Sequence, residues 1–236
     1  GISGTGGGIK KFVSGEIDIA DASRAMKPEE LSTAQKNGIE FIELKIGLDG
    51  LTVVANPENT WAQNLTTEDL KKIWADGSTV KTWKDVNPAW PAEPIKLYGP
   101  DQDSGTYDYF IEEILGKDGK IRKDYSPSSD DNQLVQGVEG DKGALGYFGY
   151  AYYLEQKDKL KALSINGISP SDETVKNGTY KPLSRPLYIY INKKSFTEKA
   201  QVKSFVQFYI KNAAELVKSS GYVPLDDYAT QEAAIK

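Results

Sequence analysis

IKLYGPDQDSGTYDYFIEEIL, residues 95–115, reads as a strand over Ile95–Tyr98, a polar loop, and a helix over Thr106–Leu115. Ser104 stands where an N-cap belongs, leaving the Gly105 and Thr106 amides and two hydroxyls at a helix start just past a strand's carboxyl end. Ligands of open α/β sheets sit at such places, so this stretch sets the fold class and offers a first candidate site. The alternation continues outward. Strands are expected at Ile17–Ile19, Glu40–Lys45, Leu51–Ala55, Ala144–Tyr147, Leu160–Leu163 and Pro186–Ile191. Helices are expected at Lys10–Ser14, Pro28–Lys36, Thr66–Trp74, Asp131–Val138, Phe148–Glu155 and Thr197–Ser219. Thr66 and Asp69 form a capping box, and Phe205, Phe208, Tyr209, Ala213, Leu216 and Val217 make a stripe expected to pack on a sheet. Most prolines fall in the middle of the chain, so a central lobe, 56–185, is expected inside a flanking lobe made of 1–55 and 186–236.

With 236 residues, 39% of them hydrophobic and 27% charged, the chain can bury a sizeable core. Lys and Arg number 29 against 34 Asp and Glu, scattered rather than clustered, which argues against a nucleic-acid footprint. No segment approaches the apolar length of a membrane span. The sequence has no Cys and no His. Thiol nucleophiles, disulfides, Cys/His zinc sites and the Ser-His-Asp triad are therefore excluded, leaving carboxylate, hydroxyl, Arg, Lys and backbone chemistry. No cofactor is implied.

Three further stretches carry chemistry. Glycines at 4, 6, 7 and 8 run into a helical pattern; such a backbone can turn its N–H groups toward an anion at a helix start, though a flexible terminus reads equally well. The run fails the nucleotide P-loop, because Lys10 follows Ile9 rather than Gly, and it fails the dinucleotide GxGxxG spacing. Asp18–Arg24 is a short strand ending in Ser23 and Arg24; Arg offers a donor fork for an oxyanion, and a lone surface Arg is the plain alternative. Asp49-Gly50, between two strand signals, reads on local chemistry as a hairpin turn.

Taken together and in order, SGTGGGIKKF, DIADASR, DGLTVVANP, LTTEDLKKIW, DSGTYDYF and GALGYFGYAYY resemble the phosphate-binding proteins of phosphate-specific ABC importers, from Ser3 to about Leu225. The resemblance implies a two-lobed, type II periplasmic-binding-protein-like fold, each lobe a mixed sheet flanked by helices. It implies inorganic phosphate as ligand, a membrane permease as partner, a monomer, and a periplasmic or extracellular place. Carried over by position, the phosphate contacts are Thr5, Gly6, Ser23, Arg24, Asp49, Ser104, Gly105 and Thr106. Family members begin with a strand and helix whose first loop also touches phosphate. This chain shows none before Gly1, so one side of the site is expected to be missing. In some members an Arg stands where this chain has Pro100, and Arg24 is expected to compensate.

A carboxylate beside an anion needs a reason, and the resemblance supplies one for Asp49. Phosphate near neutral pH keeps a proton that an ionised carboxylate can accept. Sulfate has none, and leaving one such group unmatched costs about 1–3 kcal/mol or more, roughly 10- to 100-fold in affinity. Hinges are expected near Ala55–Pro57 and Ser184–Pro186. The competing readings are a sulfate or molybdate binder, a ligand-free surface protein of the same fold, and a phosphatase-like enzyme. That enzyme would use Asp101, Asp103, Asp130 and Asp131 on a metal with Ser104 as nucleophile; loop aspartates are more often turn chemistry.

Overall fold

The computed structural model describes residues 4–116 and 118–236. The chain divides into two compact units, Gly1–Asp49 with Arg185–Lys236, and Gly50–Ser184.

In the first unit, strand Ile19–Ala22 runs antiparallel to Ser184–Asn192, Ile19 opposite Ile191 and Ala22 opposite Tyr188. Phe41–Ala55 lies on the other side of Ser184–Asn192 and contributes its first part to this unit. Side chains of a strand alternate between faces, so this sheet buries two cores. Ile189 and Ile191 join Leu44 and Ile46 against Val202, Val206 and Ile210 of helix Ala200–Lys211. Tyr190 turns the other way and joins Ile9, Phe12 and Met26. The Phe12, Phe41 and Tyr190 rings meet there at centroid distances of 5.6 to 6.3 Å, worth about 0.5–1.5 kcal/mol per pair beyond their burial.

In the second unit, residues 51–55 of the long strand pair antiparallel with Ala144–Gly149, Leu51 opposite Gly149. That strand is parallel to Lys96–Pro100, which is parallel to Ser126–Ser128. The sheet is mixed, and helix Asp131–Glu139 covers one face through Leu134, Val135 and Val138. Helix Thr67–Trp74 begins at the expected capping box: the Thr66 hydroxyl accepts the Asp69 N–H at 3.0 Å while Asp69 accepts the Thr66 N–H at 2.9 Å.

Three expectations are corrected. The glycine run is helical from Gly4, not a loop ahead of a helix starting at Lys10. Glycine is a poor helix former, but burial of Ile9, Phe12 and Val13 overrides that preference. A Cβ at Gly8 would lie 3.8 Å from the Asp21 carbonyl, so helix and strand approach closely here. Asp49-Gly50 is not a hairpin turn, because one strand of 15 residues, Phe41–Ala55, runs straight through it. Gly50 is needed for space instead: a Cβ there would stand 2.9 Å from the Tyr150 Cβ and 3.3 Å from Val175. The expected helix Thr197–Ser219 is three, Lys193–Glu198, Ala200–Lys211 and Ala213–Ser219, with breaks at Lys199 and Asn212. Its expected stripe also fails in part, since Val202, Val206 and Ile210 face the sheet while Phe205 and Phe208 are 54% and 61% exposed.

Candidate functional site

In the first unit, Thr5 lies in the opening turn of helix Gly4–Val13 and meets Ser23, just past strand Ile19–Ala22. The Ser23 backbone N–H donates to Thr5 Oγ1 at 3.0 Å, and the two hydroxyl oxygens are 2.9 Å apart. Two hydroxyl protons are present and their mutual contact uses one, leaving the other for a further acceptor. A Cβ at Gly6 would lie 4.0 Å from Arg24 Nη2, so the glycine helix and the guanidinium are neighbours. Thr5, Gly6, Ser23 and Arg24 are therefore gathered in one place.

Arg24 is not a lone surface cation. Its Nη1 and Nη2 donate to Glu30 Oε2 and Oε1 at 2.8 and 2.9 Å, and Nη1 also donates to the Ala25 carbonyl at 3.0 Å. The guanidinium, with the Lys27 backbone N–H, holds the Glu30 carboxyl below its usual range. Glu30 sits in the first turn of helix Pro28–Lys36, so the helix start fixes the fork of the arginine.

Asp49 lies on the long strand where it passes tightly against the chain after helix Ala213–Ser219. The Leu48 and Val223 backbones exchange two hydrogen bonds of 2.8 Å, and a Cβ on Gly47 would press to 2.8 Å on Val217. The Asp49 side chain is 13% exposed and faces Arg185, whose Nε donates to Oδ2 at 3.2 Å and whose Nη2 lies 3.2 Å from the same oxygen as an ion pair. Burial pushes the Asp49 carboxyl above the usual range, and Arg185 pulls the other way. Sequence reading missed Arg185: one arginine before Pro186 carries no local signal, and its partner is 136 residues away.

In the second unit, Ser104 caps helix Gly105–Phe110, its hydroxyl accepting the Thr106 N–H at 3.2 Å. Gly105 is exposed, and Ser104 and Thr106 are half-buried. Two of the four aspartates weighed for a metal, Asp101 and Asp130, perform turn and cap chemistry. Asp101 Oδ1 accepts the Asp103 N–H at 3.1 Å, and Asp130 Oδ1 accepts the Asn132 N–H at 2.9 Å as a helix cap. Among the described residues, no group of three or more Asp or Glu side chains is placed to hold a metal.

A cavity of about 890 Å³ in the first unit is a different kind of place. Ile17, Ile19, Leu187, Phe205, Phe208 and Val217 make much of its wall, while Thr5 and Ser23 also border it. A mainly apolar wall does not suit an anion, so the oxyanion chemistry belongs to the polar groups and not to the cavity as a whole.

Comparison with known proteins gives these residues a context. Residues 3–213 match the PBP superfamily domain. The protein SphX of Synechococcus elongatus is 50% identical over 232 residues, covering 95% of this chain and 68% of its own length. The phosphate-binding protein PstS of Staphylococcus saprophyticus is 41% identical over 242 residues, 100% of this chain and 74% of its own. Among solved structures, a possible phosphate binding protein from Planctomyces limnophilus superposes with a TM-score of 0.94 at 44% identity, covering 98% of this chain and 84% of that one. No helix among the described residues is long and apolar enough to cross a membrane. With half of its residues shared with one relative across nearly its whole length, the chain belongs to the PBP superfamily and, within it, to the family that includes the phosphate-binding protein PstS and the protein SphX.

Proposed function

We propose that this protein captures inorganic phosphate and hands it to the membrane permease of an ABC importer, acting as a binder and not as an enzyme. The observation that carries the reading is the cluster in the first unit, where Thr5, Ser23 and Arg24 bring hydroxyl and guanidinium donors together around the start of a glycine-rich helix. Family membership supports it. The proposed phosphate contacts are Thr5, Gly6, Ser23, Arg24, Asp49, Ser104, Gly105 and Thr106. Each donor is neutral or singly charged, and a tetrahedral dianion needs many of them at once. The lobes, taken as 1–55 with 186–236 and 56–185, would move about hinges near Ala55–Pro57 and Ser184–Pro186. The protein would work as a monomer in the periplasm or at the cell surface, without a nucleic-acid partner.

Calorimetric titration with inorganic phosphate and with sulfate tests the proposal. Heat from phosphate and little from sulfate is expected. Equal heats would favour a general oxyanion binder, and no heat from either a surface protein of the same fold. Hydrolysis of a phosphate ester, with or without divalent metal, would instead make the chain an enzyme.

A further inference from the structure

Asp49 is held in an unusual manner. An arginine that meets a carboxylate with Nε and Nη2 commonly gives one donor to each oxygen. Here both converge on Oδ2 at 3.2 Å, and among the described residues Oδ1 accepts no hydrogen bond. The pair is largely out of solvent, with side-chain exposures of 13% for Asp49 and 20% for Arg185. A charge in such a place is costly to keep unless it is both partnered and given something to accept.

We propose that Arg185 is a positioning residue that secures Asp49 through one oxygen and leaves the other to accept a proton from the ligand, so that the pair selects tetrahedral oxyanions that still carry a proton over those that do not. This rests on the phosphate reading above. Monohydrogen phosphate and monohydrogen arsenate have the required O–H; sulfate and molybdate do not. Arg185 acts through Asp49: it keeps the carboxylate ionised against its burial and fixes its rotation. Without the arginine, burial alone would act on Asp49 and shift it toward its protonated form. It would then offer an O–H that sulfate welcomes, and it would lose the ionised acceptor that phosphate uses. Tyr222, from the loop after helix Ala213–Ser219, also stands beside the pair, and its hydroxyl is pushed up by burial and by the Asp49 charge. It stays neutral over the range of interest and supplies no competing charge.

The test measures phosphate, arsenate and sulfate affinities by calorimetry from pH 5.5 to 9 for wild type, Arg185→Gln, Arg185→Lys, Asp49→Asn and the Arg185→Gln/Asp49→Asn double variant, with thermal melts of each. Dividing variant by wild-type affinity at each pH cancels the ionisation of phosphate itself. For Arg185→Gln the phosphate ratio should fall at least about tenfold at pH 6 and recover as pH rises, with the phosphate-to-sulfate gap narrowing at pH 6. Arsenate should follow phosphate, and Arg185→Lys should restore a ratio independent of pH. In the Asp49→Asn background, adding Arg185→Gln should produce no pH-dependent ratio.

A ratio that is low but flat with pH in both backgrounds would make Arg185 a plain charge for the ligand and overturn the inference, as would wild-type behaviour of Arg185→Gln. No heat from wild type with phosphate would remove the phosphate reading, and this inference with it. Should Arg185→Gln not fold, the wild-type protein still decides. The carboxyl carbon resonance of Asp49, assigned by its loss in Asp49→Asn, should be that of the ionised form at pH 7, and a protonated Asp49 there overturns the proposal.

Discussion

Thr5 Oγ1 accepts the backbone N–H of Ser23 at 3.0 Å, joining the first turn of the glycine helix to the end of the neighbouring strand across 18 residues of sequence. A methyl group cannot accept that bond. Thr5→Val keeps the shape and removes the oxygen, so it should lower the melting temperature through a half-buried N–H left unpaired, about 1 kcal/mol. Phosphate affinity should fall about tenfold with it. Thr5→Ser keeps the oxygen and should stay close to wild type in both measurements. Equal binding by the Val variant would remove Thr5 from the ligand.

Gly50 tests the strand against the turn. A side chain at this position meets the Tyr150 Cβ at 2.9 Å, an atom fixed to the backbone that cannot swing away. Gly50→Ala should therefore destabilise the protein by about 1–3 kcal/mol in urea unfolding. Asp49-Gly50 in an exposed hairpin would tolerate crowding there, so an unchanged midpoint would contradict the continuous strand.

The gap between local chemistry and tertiary packing explains what could be read in the sequence. Helix Pro28–Lys36 and the capping box at Thr66 were legible, because proline, caps and apolar spacing act within a few residues. Strand–loop–helix order around Ser104 was legible for the same reason. Asp49-Gly50 was misleading, since the Asp-Gly signal is a short-range preference and burial along Ile46–Leu48 and Gly50–Ala55 outweighs it. The glycine helix misled in the same way: propensity argues against it, and Ile9 and Phe12 in the core decide. Arg24 was found but its partner Glu30 was not, and the Asp49–Arg185 contact lay beyond any pattern within one stretch.

Ser104 has two separable duties, capping a helix and touching the ligand. Ser104→Ala should cost about 1 kcal/mol as a lost N-cap and also weaken phosphate binding. Ser104→Asp keeps a good cap and adds a negative charge. It should melt close to wild type while losing phosphate affinity by well over tenfold, because like charges repel at a desolvated site. Calorimetry and thermal melts on the pair separate the duties. Wild-type affinity in the Asp variant would place the phosphate elsewhere.

Arg122 offers a prediction about stability alone. The residue is 6% exposed, and its Nη1 donates to the carbonyls of Ile73 and Val80 at 3.0 and 3.1 Å. Nε and Nη2 hold Asp124 at 2.6 and 2.7 Å. Arg122→Leu strands two buried carbonyls and should cost about 2–5 kcal/mol in urea unfolding. Asp124→Asn should cost less, because that carboxylate is 57% exposed and screened by water. Arg122 holds the Asp124 carboxyl well below the ordinary range, with Lys81 adding to the effect. A depressed carboxyl stabilises the fold above its unfolded value and loses that contribution as pH falls toward its folded one. The difference in melting temperature between wild type and Asp124→Asn should hold steady from about pH 8 to 5 and shrink progressively below about pH 4. A difference that grew on acidification would reverse the sign and remove Arg122 as the cause of the depression.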